Sequence, residues 1–275
     1  MWVNESPELE AVNLGGIFLP PFEQFAHFRC KLSLEFSTAG FLVKTASSTE
    51  EVIQALALRH QVFIENDQGH GIGYEYDQFD NDADHVLVIA KESNEVVATS
   101  RLLCSRFASQ FYSQNEFDIE DVLNENKAYL EMGRSCIKIT HRNANLVDLM
   151  WRAIGSYITR TQTKALFGLA SVFTTDQSQA WELDAYFKTF FSDNRFNVMP
   201  KLAWQLDPAF RKSTYQFEDD TQCKKILPSL LRSYLMAGAK IYGDPALDRD
   251  FSCVDFFAYI DIDNMHRSFE KRYLS

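Results

Sequence analysis

Apolar positions along this chain change their spacing several times, and each change marks an element. GFLVKTAS, residues 40–47, is a short β-branched run that reads as a strand. Ser48-Thr49-Glu50-Glu51 has the form of a capping box, with Ser48 as N-cap and Glu51 three residues on. Val52, Ala55, Leu56, Val62 and Phe63 then keep helical spacing, which predicts a helix through Asn66. After a polar stretch from Asp67 to Asp84, HVLVIA (85–90) and EVVATSRLL (95–103) flank Lys91–Asn94 as a hairpin. LEMGRSCIKI (130–139) reads as a central strand. Leu146, Met150, Ala153, Ile154, Tyr157 and Ile158 predict a helix over 146–161, with Asn143 and Asn145 as candidate caps. ALFGLASVF (165–173) is a buried strand by composition. Helices around Gln179–Phe191 and Ile226–Lys240, and an alternating strand CVDFFAYIDI (253–262), complete the series.

This order predicts an α/β fold, one mixed β-sheet flanked by helices. Gly15-Gly16 and Pro20-Pro21 break residues 1–39, which read as an N-terminal extension to a single domain over 40–275 with C-terminal decoration. The chain has 275 residues and a formal charge of −11, which argues against a general nucleic-acid binder. Its 23 phenylalanines fit an aromatic-rich core or an apolar channel, and composition does not separate the two. Five scattered cysteines with no CxxC or HExxH predict no metal site and no disulfide framework, and reduced thiols fit a cytoplasmic setting. No signal peptide and no spanning segment are read, and peripheral membrane contact stays open.

Charges inside apolar strands are the candidate chemistry. Arg101 lies in such a strand, and Glu131 and Arg134 lie near the start of another, where a charge is costly unless paired or used. Three residues apart, Glu131 and Arg134 point to opposite faces of a regular strand; a β-bulge near Gly133 brings them together. A structural Glu–Arg pair satisfies the same energetics. Arg59 and Phe63 share one helix face. Asp77 and Asp80 lie in an acidic loop without EF-hand spacing, either solvated or attracting a cation. His85 is an alternative base or a structural histidine, Ser171 a substrate contact or strand packing, and Trp151 core.

Arg59, Phe63, Asp77, Asp80, Arg101, Glu131 and Arg134 resemble, in order, the charged signature of acyl-homoserine lactone synthases. A longer resemblance is to a sister group, the N-acyltransferases that make lyso-ornithine lipid. It runs through DQFDNDADHVLV, VVATSRLL, FYSQNEFDI, LEMGRSCI, LMWRAIGSY, LFGLASV and LLRSYLMAGAKI with a trailing DRDF, over roughly residues 41–265. The resemblance implies a GNAT-like fold and transfer of a fatty acyl group from an acyl carrier protein thioester to an amino acid, ornithine by default. It implies Glu131 as proton acceptor, with Arg101 and Arg134 in a charged network that is either catalytic or architectural; Arg59, Phe63, Asp77, Asp80 and Ser171 are the candidate substrate-binding residues. Where GNAT proteins cradle the phosphates of coenzyme A on a glycine-rich loop, this chain has His141-Arg142-Asn143-Ala144-Asn145-Leu146 without glycine. Arg142, Asn143 and Asn145 thus suit the single phosphate of a carrier-protein pantetheine arm better than coenzyme A. Arg142, Arg152, Arg160 and Lys164 offer a docking surface for an acidic carrier or simply solubilise a helix. The alternatives are a lactone synthase, which needs S-adenosylmethionine, a coenzyme A-dependent acetyltransferase, and a non-catalytic acyl-binding module.

Overall fold

A computed structural model describes residues 22–64, 73–215, 217 and 226–274. The early strands are β1 (Glu35–Ser37), β2 (Phe41–Thr45), β3 (Asp84–Ala90), β4 (Glu95–Cys104) and β5 (Phe117–Asp118). They are followed by β6 (Tyr129–Ile137), β7 (Ala165–Val172), β8 (Met199–Pro200), β9 (Lys240–Asp248) and β10 (Cys253–Asp261). The helices are α1 (Thr49–Phe63), α2 (Ser113–Glu116), α3 (Glu120–Leu123), α4 (Ala144–Thr161), α5 (Gln177–Phe190), α6 (Ser229–Ala237) and α7 (Arg267–Tyr273). Eight strands form one sheet in the order β1-β2-β3-β4-β6-β7-β10-β9, and β5 pairs β8 separately. The expected mixed α/β sheet is present: β6 runs parallel to β7, while the other pairs described are antiparallel.

Strand alternation divides the core. In β3, Val86, Val88 and Ala90 join the cluster under α4, whereas Leu87 and Ile89 join the cluster under α1. The two helices therefore cover opposite faces of the sheet, as the two-residue period requires. On the α4 side, Leu146, Met150, Ala153, Ile154, Tyr157 and Ile158 are all buried, the stripe expected from the sequence. Trp151 is core as expected, 2% exposed, with Phe269 edge-on at 4.7 Å. On the α1 side, Phe111, Phe167 and Phe257 pack ring against ring at 5.0 and 5.6 Å, so aromatic packing accounts for part of the phenylalanine content.

Local chemistry sets the helix ends. Ser48 caps α1 by accepting from Glu51 N–H at 3.3 Å. The Glu51 carboxylate completes only half the expected box, turning to Ser47 N–H at 2.7 Å and Lys44 Nζ at 2.7 Å. α1 ends at Phe63, and Asn66 lies outside the described residues. The sheet starts at Glu35, within the segment read as an extension, and Phe25 is fully buried against α1's cluster. The helix expected to run to Lys240 ends at Ala237, and Lys240 instead begins β9. Its Gly243 (φ 80°) and a register shift against β10 break the alternation that marks a strand. The described cysteines Cys30, Cys104, Cys136 and Cys253 are free thiols, and Cys223 lies outside the described residues. No helix among the described residues is long and apolar enough to cross a membrane.

Candidate active site

β6 and β7 run side by side for three residue pairs only, Tyr129↔Ala165, Leu130↔Leu166 and Glu131↔Phe167. Beyond that point the strands part. Gly168 sits at the fork, where an added Cβ would stand 2.2 Å from the Met132 carbonyl oxygen. Two cavities occupy the opening. The smaller, about 170 Å³, is lined by Arg101, Glu131, Arg134, Ser171, Asp248 and Asp255 among others. The larger, about 650 Å³, is mostly apolar and reaches the start of α4, where Arg142 and Asn143 border it. Phe63, Ser135, Phe173, Pro228 and Leu230 line both. The two spaces therefore meet at the fork.

Above the sheet, three arginines and three carboxylates close a ring. Arg59 donates to Glu75 (2.5 Å) and to Asp80 (2.6 Å). Arg134 joins Glu75 (3.0 Å) to Asp77 (3.3 Å), and Arg101 joins Asp77 (2.6 Å) to Asp80 (3.2 Å). Burial pushes the Asp80 and Glu75 carboxyls up, but Arg59 first, then Arg101 at Asp80 and Arg134 at Glu75, outweighs it and holds both below the usual range. Positive and negative charges balance within the ring, so it needs no outside ion. This corrects the expectation for Arg59 and Asp80 as substrate contacts: both are fully buried and spent on one another. Asp77 keeps 22% of its side-chain surface exposed and remains reachable. Glu75 was not singled out from the sequence, since in YEYDQFDND every acid looks equally solvated.

The bulge expected near Gly133 exists. Arg101 pairs with Gly133 and Thr99 with Cys136, so β6 carries one extra residue across that interval. Arg134 takes φ 49°, an unusual conformation for a bulky side chain, held there by Glu75, Asp77 and the Tyr112 ring 4.3 Å away. Glu131 and Arg134 thus reach the same cavity as Arg101. Glu131 is 3% exposed and accepts from Tyr112 N–H (2.6 Å), Ser113 N–H (2.7 Å) and Ser113 Oγ–H (2.5 Å). Burial pushes its carboxyl up, and the Ser113 donors and Arg101 pull back without cancelling the rise.

A second group of carboxylates was missed. Asp248 ends β9, Asp255 lies in β10 and Glu116 closes α2. Asp255 accepts from Ser171 Oγ–H at 2.5 Å, and Asp248 accepts from Asp250 and Phe251 N–H at 2.9 and 3.0 Å. Ligand-capable atoms of Asp248, Cys253 and Asp255 lie within 4.8 Å of one another. Burial pushes the Glu116 and Asp255 carboxyls up, and the neighbouring acids raise Glu116 further. One signal could have found this group: Asp255 interrupts the apolar run CVDFFAYIDI just as Arg101 interrupts its own strand.

The remaining expectations divide. Phe63 borders both cavities, its ring edge-on to Phe251 at 6.1 Å. Asn143 is α4's N-cap, accepting from Leu146 N–H at 3.1 Å, and so is partly spent on the helix. Arg142 Nε donates to the Ile137 carbonyl at 3.3 Å beside the larger cavity. Asn145 is exposed and does not line it. His85 is fully buried outside both cavities, with Nε2 3.0 Å from the Asp80 carbonyl and burial lowering its pKa. As an alternative base it has no access to a substrate.

Residues 58–152 match the family described as acetyltransferase (GNAT) domain. The L-ornithine N(alpha)-acyltransferase of Rhodobacter capsulatus is 26% identical over 260 residues, covering 85% of this chain and 95% of that protein. The chain is a GNAT-fold acyltransferase. The L-ornithine N(alpha)-acyltransferase of Agrobacterium fabrum is also 26% identical to this acyltransferase, over 84% of each protein. Among solved structures, FeeM, an N-acyl amino acid synthase from uncultured soil microbes, aligns with TM-score 0.48 and 10% identity over 82% of this chain and 94% of that one. The β6–β7 fork, the bulge and the ring lie within or beside the matched domain, whereas Asp248 and Asp255 lie beyond it.

Proposed function

We propose that this acyltransferase moves a fatty acyl group from a pantetheine thioester to the amine of an amino acid, with ornithine as acceptor. The observation that carries the reading is the pair of joined cavities at the β6–β7 fork, both with mainly apolar walls, the smaller one also lined by Arg101, Glu131 and Arg134. The larger space suits the pantetheine arm and acyl chain, with its mouth at Arg142 and the start of α4. The glycine-free loop there favours the single phosphate of a carrier protein over the pyrophosphate of coenzyme A. β6 has no described ladder partner on its β7 side past Glu131, which leaves main-chain N–H groups for the oxyanion of a tetrahedral intermediate.

The attacking amine must be neutral, yet an α-amino group near pH 7 is mostly protonated. A carboxylate raised by burial is a suitable proton acceptor, and we assign that role to Glu131. Glu131→Gln is expected to lower kcat by roughly 100-fold or more at saturating substrate; an unchanged kcat overturns the assignment. For the reaction itself, the purified protein is incubated with acyl carrier protein thioester or acyl-coenzyme A and pooled amino acids, and products are read by mass spectrometry. N-acylornithine from the carrier-bound donor is the expected result. No amide from either donor, or a lactone released only when S-adenosylmethionine is added, overturns the reading.

A further inference from the structure

We propose that the Tyr112–Ser113 turn is the positioning element for Glu131, pinning Oε1 of its carboxylate and leaving one acceptor position, on Oε2, for the incoming amine. The inference rests on the acyl-transfer reading above and deepens it, from the residue that takes the proton to the atom that does and what holds it.

An ionised carboxylate offers about four acceptor positions, two on each oxygen. Glu131 Oε1 accepts from Ser113 N–H at 2.7 Å and from Ser113 Oγ–H at 2.5 Å, which fills it. Among the described residues Oε2 accepts from Tyr112 N–H alone, at 2.6 Å. The side chain is buried by the protein yet lines the smaller cavity. A donor arriving through that cavity therefore finds Oε2 the open oxygen.

The turn is itself held in place. Tyr112 has helical backbone angles, φ −59° and ψ −40°, which lets two consecutive N–H groups reach the two oxygens of one carboxylate. The Tyr112 ring lies 4.3 Å from the Arg134 guanidinium and 5.4 Å from that of Arg101, and edge-on to Phe79 at 5.9 Å. Phe79 N–H in turn donates to Asp77 at 2.9 Å. The arginine ring thus reaches Glu131 through Tyr112. Ser113 is fully buried, and Phe111 N–H closes the turn on Gln114 Oε1 at 2.9 Å.

Placement matters because a proton acceptor works only within hydrogen-bond reach of the amine, and a displacement of about 1 Å costs on the order of 100-fold. Burial pushes the Glu131 carboxyl up, and the Ser113 hydroxyl is foremost among the groups that pull it back. Loss of that hydroxyl alters both aim and proton affinity. A turn that merely used Glu131 as an anchor would lose stability alone.

The test compares full-length wild type, Ser113→Ala and Ser113→Cys, the last nearly isosteric with a weaker donor. Turnover is followed against pH with acyl carrier protein thioester and ornithine. Glu131 is titrated directly by ¹³C NMR of labelled glutamate, with Glu131→Gln assigning its signal. In Ser113→Ala both the acid limb of kcat and the Glu131 titration are expected to move up by about one pH unit or more, and kcat on the plateau to fall about tenfold or more. Ser113→Cys should lie between. If Ser113→Ala does not fold, Ser113→Cys decides by the same readings. A lower melting temperature with unmoved titration and unchanged plateau kcat overturns the inference. In a crystal structure with ornithine bound, the reacting nitrogen is expected about 3 Å from Oε2; a nitrogen on Oε1 overturns the choice of atom. The titration needs no turnover, so an unmoved Glu131 beside intact amide formation sinks this inference alone, and a shifted Glu131 in a protein that makes no amide sinks the acyl-transfer reading.

Discussion

Two sets of carboxylates lie near the small cavity, one bound to the arginines that line it and one including its lining residues Asp248 and Asp255, and they differ in their company. Glu75, Asp77 and Asp80 alternate with Arg59, Arg101 and Arg134 in a closed ring. Glu116, Asp248 and Asp255 lie together with no cation paired to them among the described residues. Burial acts on both sets in the same direction, yet Glu75 and Asp80 are held below the usual carboxylate range while Glu116 and Asp255 stand above it. The first set is balanced by its arginines, whereas the second is held by Ser171 Oγ–H, by backbone N–H groups and by contact among its own acids.

The comparison breaks first at Arg59. Arg59→Met removes the cation that joins Glu75 to Asp80 and leaves the buried ring one positive charge short, with Glu75 held by Arg134 alone and Asp80 by Arg101 alone. We expect a loss of about 3–5 kcal/mol, read from the urea midpoint. A loss under about 1 kcal/mol would mean that the ring is not what holds α1 to the acidic loop.

The opposite sign is expected at the other set. Glu116 has its folded pKa raised, so at neutral pH the unfolded chain ionises it and the folded chain does not, a linkage that favours unfolding. Glu116→Gln removes the linkage and should stabilise the protein by roughly 1–3 kcal/mol at pH 7–8. The gain should vanish below about pH 4, where the unfolded carboxyl is protonated as well. Equal melting temperatures for variant and wild type at pH 8 would count against the unbalanced set.

Asp80 responds to acid in the reverse sense. Its folded pKa is depressed, so its contribution is complete above the unfolded value of about 4 and is lost as pH falls toward the folded value. A stability loss on the order of 2 kcal/mol between pH 4 and pH 2 is expected in wild type. A flat profile over that window would show that Asp80 gains nothing from its arginines. As the control of least effect, Lys164→Ala breaks an exposed pair with Asp263 and should change stability by less than about 0.5 kcal/mol.

Much of this arrangement could be read from the residues. Arg101, Glu131 and Arg134 stood out because a charge in an apolar strand needs a reason, and the parity of 131 and 134 called for the bulge that is present. The ring's closure could not be read, because Glu75 is one acid among several in a loop that looks solvated. The second set was harder still. Glu116 is more than 130 residues from Asp248 in sequence, so only the sheet order brings them together. β9, which carries Asp248, is disguised by Gly243 and Pro245, residues that normally punctuate a turn. At the larger cavity, the loop's composition was legible, but Asn143's commitment as a helix cap depends on where α4 begins.

The missing methyl at Gly168 has a consequence for catalytic tuning. Because the Met132 oxygen occupies the place a Cβ would take, the two strands stay in register until the last pair before the opening. A substitution as small as alanine would act as a wedge, prying them apart earlier and widening the aperture next to Glu131. The gauge of the thioester's berth is thus written in a side chain that is not there.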